Sequence, residues 1–337
     1  MKFRSDFDSA WKDALEAYFP QFMGLLQPEL HAQIDWQYAP EFLDKELQAL
    51  MRSRSRGRQH VDKLARVRMQ AGHAALVLIH VEIQSHRHAN FAPRMFAYHI
   101  RLSEKHPQQP VVSLAVLTGK QAAQSAADAT KLTHAYDNWG CSLHFSFPVV
   151  YLEHWRARID ELLQLAPHNP FAVVILAQLE ANATQNPEER LVRKTELVRR
   201  LYYWGFSRDN VIQLFRIIDA MVGLPESLED DFDEAVIQIE EETQMTYVTS
   251  IERVRLRKER EAGMQEGLLR GEQDGLQKGL QKGQLKGAAE VLAAQVLRKF
   301  GHLPDWARVR MKEADEATLN RWALQILDAP RIEDVFV

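Results

Sequence analysis

Apolar and polar residues change their spacing several times along this chain of 337 residues, and each change marks an element. Residues 5–26 place Phe7, Trp11, Leu15, Tyr18 and Phe22 at helical spacing, predicting an amphipathic helix capped by Asp8 or Ser9. EFLDKELQALMR at 41–52 predicts a second helix. VDKLARVRM at 61–69, the breaker QAG and AALVLIHVEI at 74–83 predict a hairpin of two strands. NFAPRMFAYHIRLSEKH at 90–106 returns to helical spacing, entering through Pro93. VVSLAVLT at 111–118 and SLHFSFPVVYL at 142–152 predict further strands. This order predicts an α/β chain with a mixed sheet flanked by helices.

Beyond about residue 153 the strand-like runs stop. LVRKTELVRRLYYWGF and DNVIQLFRIIDAMVG predict helices joined by a turn at Gly205–Ser207. GFSRDNVIQLFR has a faint helix-turn-helix look, but a plain helical pair is the preferred reading. Glycine then recurs at 263, 267, 271, 275, 279, 283 and 287. A period of four is close to a helical turn, yet each interior glycine weakens a helix by up to ~1 kcal/mol relative to alanine. The preferred reading is a connector or a loosely paired helix; the other is a row that lets helices approach closely in a homo-oligomer. The last fifty residues regain amphipathic spacing, with Gly301 as a helix C-cap and Asp315 as an N-cap. The expected organisation is therefore 1–155 as the α/β domain, 156–250 as a helical extension, 251–287 as the glycine repeat and 288–337 as a small helical domain.

Composition narrows the class. The chain is 46% hydrophobic and 26% charged, which suits a globular protein that can build a core. A single cysteine, Cys141, excludes an intramolecular disulfide framework and suits a reducing compartment. MKFRSDFDSAWKDA lacks the apolar stretch of a secretory signal, and no run reaches the ~18 apolar residues of a membrane span. A soluble, cytoplasmic protein with no membrane partner is expected. The net charge is −4, but charge is segregated: 52–68 holds seven Arg or Lys against one acid, while 226–242 holds nine acids and no base. A focused basic patch can meet a polyanion even on a mildly acidic chain.

The candidate chemistry lies in HVEIQS at 80–85. Residues two apart in a strand share a face, so His80, Glu82 and Gln84 point one way and Val81 and Ile83 point into the core. A carboxylate at the end of a buried strand is costly unless something pairs with it. Asp62 is the only carboxylate on the preceding strand, and register decides whether it can join Glu82. A two-residue loop at Ala71–Gly72 would set Asp62 opposite Val81, on the wrong face. A three-residue loop at Gln70–Gly72 would set it opposite His80, diagonal to Glu82 and on the same face. An odd loop or a bulge is predicted. Two carboxylates there form a hard oxygen site suited to Mg²⁺ or Mn²⁺, with the basic segment 52–68 beside it for phosphate. On residue types alone, a structural Asp/Glu pair satisfied by neighbouring arginines is the commoner outcome. Histidines 80, 86, 88 and 99 are better read as core or surface residues than as zinc ligands, because no His-Glu-x-x-His or later Cys pair accompanies them. No P-loop or G-x-G-x-x-G fingerprint is present.

The spread VDKL … HVEIQS … RMFAYHIRL, with DSAWKDALEAYF and LDKEL before it, resembles the recombination-promoting nuclease/transposase family of the PD-(D/E)XK nuclease superfamily. The resemblance covers most of residues 5–155. It implies a restriction-endonuclease-like core, helical extensions and Mg²⁺- or Mn²⁺-dependent cleavage of DNA, linked to recombination or mobile elements. Carried over, Asp62 and Glu82 take the two metal-ligand positions, and Gln84 takes the position held by lysine in the superfamily motif. Asp8 and Glu46 match weaker acidic positions; Arg94, Tyr98 and Arg101 fall on one helical face suited to phosphate. Lys45 or Lys63 are candidates to replace the missing lysine, although alternation turns Lys63 away from Asp62. The expected function is a metal-dependent DNA endonuclease with Asp62, Glu82 and Gln84 as its catalytic residues. The alternatives are a catalytically weak or inactive DNA-binding or assembly protein on the same scaffold, and an oligomer built through the glycine repeat.

Overall fold

Why the chain makes a sheet at all is clearest at its centre, where the apolar runs LVLI and VVSLAVL form strands covered on both faces. The computed structural model describes residues 6–51, 61–70, 76–84, 90–120, 130–247, 283 and 286–336. Its six-stranded open sheet has the order β1-β2-β3-β4-β6-β5. The strands are β1 (Glu41–Phe42), β2 (Val61–Arg68), β3 (Leu76–Gln84), β4 (Val111–Leu117), β5 (Lys131–Asn138) and β6 (Cys141–Tyr151). β3, β4 and β6 run parallel; β1, β2 and β5 run antiparallel to their neighbours. The expected α/β class and mixed sheet are both present. β5 was not expected, because only Leu132 and Tyr136 supply apolar alternation in its eight residues.

Helices cover both faces. On one side lies α1 (Phe7–Leu26), capped by Asp6, whose carboxylate accepts from the Ser9 amide at 3.2 Å; neither Asp8 nor Ser9 serves as the cap. Pro20 sits inside α1, and the helix kinks at Tyr18. Across the opposite face run α3 (Asp44–Met51) and α4 (Phe91–Lys105), with α2 (Pro28–His31) a single turn before them. Val81 and Ile83 join the large core under α1, as the alternation of β3 predicted.

After β6, α5 (Ile159–Leu165), α6 (Pro170–Ala183), α7 (Pro187–Tyr203), α8 (Arg208–Met221) and α9 (Glu229–Thr243) complete a first compact unit, Met1–Arg260. α6 is apolar all round, and eleven of its fourteen residues are buried, as expected of a helix at the centre of a core. Phe171 on α6 lies 5.0 Å from Phe22 and 5.8 Å from Trp11, ring centre to ring centre. The segment 156–243 therefore shares one hydrophobic core with the sheet. α8 buries Val211, Leu214, Phe215, Ile217, Ile218 and Met221 and exposes nothing beyond Arg208 and Asp209. Its buried face packs into the large core, as expected of a plain helical pair.

The second unit, Glu261–Val337, contains α10 (286–300), α11 (Asp305–Glu313), α12 (Glu316–Asp328) and a 3₁₀ turn at Ile332–Val335. Gly301 ends α10 at φ +77°, and Asp315 caps α12 by accepting from the Thr318 amide at 2.8 Å. Trp322 and Phe336 meet at 5.1 Å in its core. Of the glycine row, only Gly283 and Gly287 fall within the described residues.

Candidate functional site: the carboxyl end of the β2–β3 hairpin

β3 crosses the middle of the sheet with β2 antiparallel on one side and β4 parallel on the other. The register of the hairpin pairs Asp62 directly with Glu82, and Arg68 with Leu76. Every pair sums to an even number, which is the parity the odd-loop expectation required, but the ladder is displaced by two residues from the predicted Gln70–Gly72 loop. Met69 bridges to Ile34 instead of joining the turn, and the Gln70 amide donates to the Gln33 carbonyl. Residues 71–75 lie outside the described residues.

Directly opposed positions in an antiparallel pair hold their Cβ atoms about 4.5–5.5 Å apart and on the same face. Positions 62 and 82 are thus closer than the diagonal arrangement expected from sequence. On β4, Ala115 stands beside Glu82 and Leu117 beside Gln84. This is the carboxyl end of two adjacent parallel strands, where open α/β sheets place ligands.

One step back along the same face lies a polar row that the sequence reading underestimated. His80 is fully buried, paired in register with Leu64 and Ser113, with its ring 5.8 Å from Tyr98 of α4. His99 shares a hydrogen bond of 3.3 Å with the Ser113 hydroxyl. Burial drives the His80 pKa down to about 3, aided by the nearby charges of His99 and Arg94. Burial also lowers His99. Both imidazoles are neutral near pH 7, but a fully buried His80 with a pKa of about 3 is too weak a base for proton abstraction, so it serves packing and polarity. In the sequence, His80 and Ser113 inside apolar runs were the signals of this row.

The remaining candidates separate from the site. Tyr98 is buried, against His80, Leu64 and Leu78, so it does not present a face to phosphate. Asp8 pairs with Lys12 at 2.6 Å along α1. Glu46 meets Lys105 and His106, each at 3.2 Å, and staples α3 to α4. Partial burial opposes ionisation of Glu46, but the Lys105 and His106 contacts outweigh it and hold its pKa below the usual range. Lys63 is 1% exposed and bonded to Glu16 and Asp44, on the face opposite Asp62, as alternation requires. It cannot replace the missing lysine; Lys45 is exposed on α3.

Only part of the basic segment is described. Residues 52–60 lie outside the described residues, and each base in the described half is engaged. Lys63 points inward, Arg66 pairs with Glu41 at 2.8 Å, and Arg68 lies 4.3 Å over the Tyr38 ring. Among the described residues, no three His, Cys, Asp or Glu side chains converge on a metal position, and no helix is long and apolar enough to cross a membrane.

Comparison with known proteins adds no relative: no protein-family model, curated protein or solved structure matches this chain.

Proposed function

We propose that this chain is a metal-dependent DNA endonuclease of the PD-(D/E)XK type, with Asp62 and Glu82 as its metal ligands and Gln84 beside them. The observation that carries the reading is the register that sets Asp62 opposite Glu82 at the carboxyl end of β3. The donor set fits Mg²⁺ or Mn²⁺: two carboxylates and an amide offer only oxygen on that face, and such ions take one or two carboxylates and otherwise water. When bound, the ion supplies Lewis-acid polarisation of the phosphodiester and activation of water. Asp62 and Glu82 hold the cation and lose much of their mutual repulsion in doing so. Gln84 orients the attacking water by hydrogen bonding, without the positive charge of a lysine. Arg94, whose charge acts on His80, adds positive potential along the same row.

The test is Mg²⁺-dependent nicking of supercoiled plasmid by the purified chain, compared with Asp62→Ala and Glu82→Ala. Loss of cleavage in both variants, with unchanged melting in the absence of metal, supports the reading. Equal cleavage by both variants would place the activity elsewhere. A second reading, a DNA-binding or assembly protein that keeps the scaffold, draws on Gln84 standing where a lysine is needed. Salt-sensitive DNA retention with no cleavage in Mg²⁺ or Mn²⁺ would favour it.

A further inference from the structure

β5 ends the sheet, and among the described residues it pairs only with β6. The Thr130 carbonyl accepts from the Val149 amide at 3.0 Å. Backbone groups alternate sides along a strand, so even-numbered residues of β5 turn theirs toward β6. Lys131, Thr133, Ala135 and Asp137 therefore turn theirs to the outer edge, and all four are exposed. Among the described residues these donors and acceptors are unspent, and β5 carries no proline and no break in register to blunt the edge.

We infer that this edge docks a second copy of the chain, two β5 strands pairing antiparallel about a two-fold axis through His134. Two-fold pairing demands a self-complementary strand, and KLTHAYDN satisfies that demand in one register. With the axis at His134, Lys131 lies opposite Asp137 of the second copy, and the same contact repeats at the other end. Thr133 then faces Ala135 of the second copy, and Leu132 faces Tyr136, whose ring is 44% exposed in the single chain. All four outward-turned residues find a partner in this register. Moving the axis by one residue loses a pair and breaks both charge contacts.

Nucleic acid fits this edge less well. Between residues 131 and 146 the only Lys, Arg, Asp or Glu residues are Lys131 and Asp137, which cancel. A polyanion is held by an excess of cations, whereas a matched pair of opposite charges suits a copy of itself.

The experiment is sedimentation of the full chain over a concentration series, with Asp137→Lys, the double swap Lys131→Asp/Asp137→Lys, and Thr133→Pro. The wild type is expected to rise toward twice its 38.9 kDa mass. Asp137→Lys turns two attractions into two repulsions and weakens association by about tenfold. The double swap restores it. Thr133→Pro removes an outward N–H that β6 does not use, so it abolishes association while the thermal midpoint holds. If that variant fails to fold, the charge variants decide, since they leave the backbone intact. A wild type that stays monomeric throughout overturns the inference. So does association that all variants share, which would place it on another surface. A change in DNA retention by Asp137→Lys with no change in mass would assign the edge to nucleic acid instead.

Discussion

Trp11 of α1 donates its indole N–H to Gln178 Oε1 of α6 at 2.9 Å, a buried bond that spans 167 residues of chain. Gln178 in turn donates to Asn182, whose amide reaches the Thr118 carbonyl after β4 at 2.6 Å. The first helix, the sheet and the later helices are thus tied in one polar line through an apolar core. Truncation after residue 155 would remove α6 and expose Trp11 and Phe22. The truncated chain is expected to aggregate and show no cooperative thermal transition by circular dichroism. In the full chain, Gln178→Leu leaves the buried indole N–H without a partner and costs about 1–3 kcal/mol in chemical denaturation.

Lys63 has two carboxylate partners of unequal exposure, Asp44 at 27% and Glu16 at 55%. Asp44 also accepts from the Leu64 amide at 3.3 Å. Asp44→Asn is therefore expected to destabilise more than Glu16→Gln. The double variant strands a buried ammonium and should approach the ~3–5 kcal/mol of a broken buried pair. Urea unfolding of the three variants checks the ranking; a larger effect for Glu16→Gln would contradict it.

Stability should depend on pH through His80. Its folded pKa of about 3 lies below the ~6.5 of an unfolded histidine, so the unfolded chain takes up the proton first. The stabilisation is complete above about pH 6.5 and is lost as pH falls toward 3, at up to ~1.4 kcal/mol per unit. Between pH 7 and 5, wild type is expected to lose about 2 kcal/mol more than His80→Gln. Parallel pH dependences of the two proteins would count against this account.

The β5–β6 turn carries its own strain. Trp139 and Gly140 have φ of +49° and +80°, the two-residue geometry that favours Asn-Gly or Gly-Gly, and the Trp139 side chain is fully exposed. Trp139→Gly or Trp139→Asn is expected to raise stability by about 1 kcal/mol, since an L-residue with a bulky side chain is disfavoured there. Differential scanning calorimetry reads the gain directly.

Under the proposed function, Gln84 limits the rate. Gln84→Lys adds positive charge where phosphate charge develops, and Mg²⁺-dependent nicking should increase by at least about tenfold. Gln84→Ala should decrease it. A Gln84→Lys variant slower than wild type would mean that the site does not use that position as the superfamily motif does.

Much of this was legible along the chain. The apolar runs at 75–79 and 111–117 predict buried strands, and α1, α4 and α12 follow helical periodicity that their buried residues confirm. β5 escaped notice because an edge strand with one polar face and two apolar residues lacks a strong periodic signal. Asp6 was passed over as a cap because Asp8 and Ser9, two and three residues on, are equally good capping residues by type.

What the sequence determined by itself was local: which residues alternate, which repeat every three or four, and that Asp62 and Glu82 are the carboxylates their strands offer. Strand period alone put Lys63 on the face away from Asp62. The tertiary structure decided what is non-local. Register is set by how a whole hairpin packs, and the bridge from Met69 to Ile34 belongs to a contact 35 residues away in sequence. That packing moved Asp62 from a diagonal of Glu82 to a position directly opposite. It also committed Lys63, Arg66 and Arg68 to Glu16, Asp44, Glu41 and Tyr38, because a charge near a core is stable only where partners from other elements reach it.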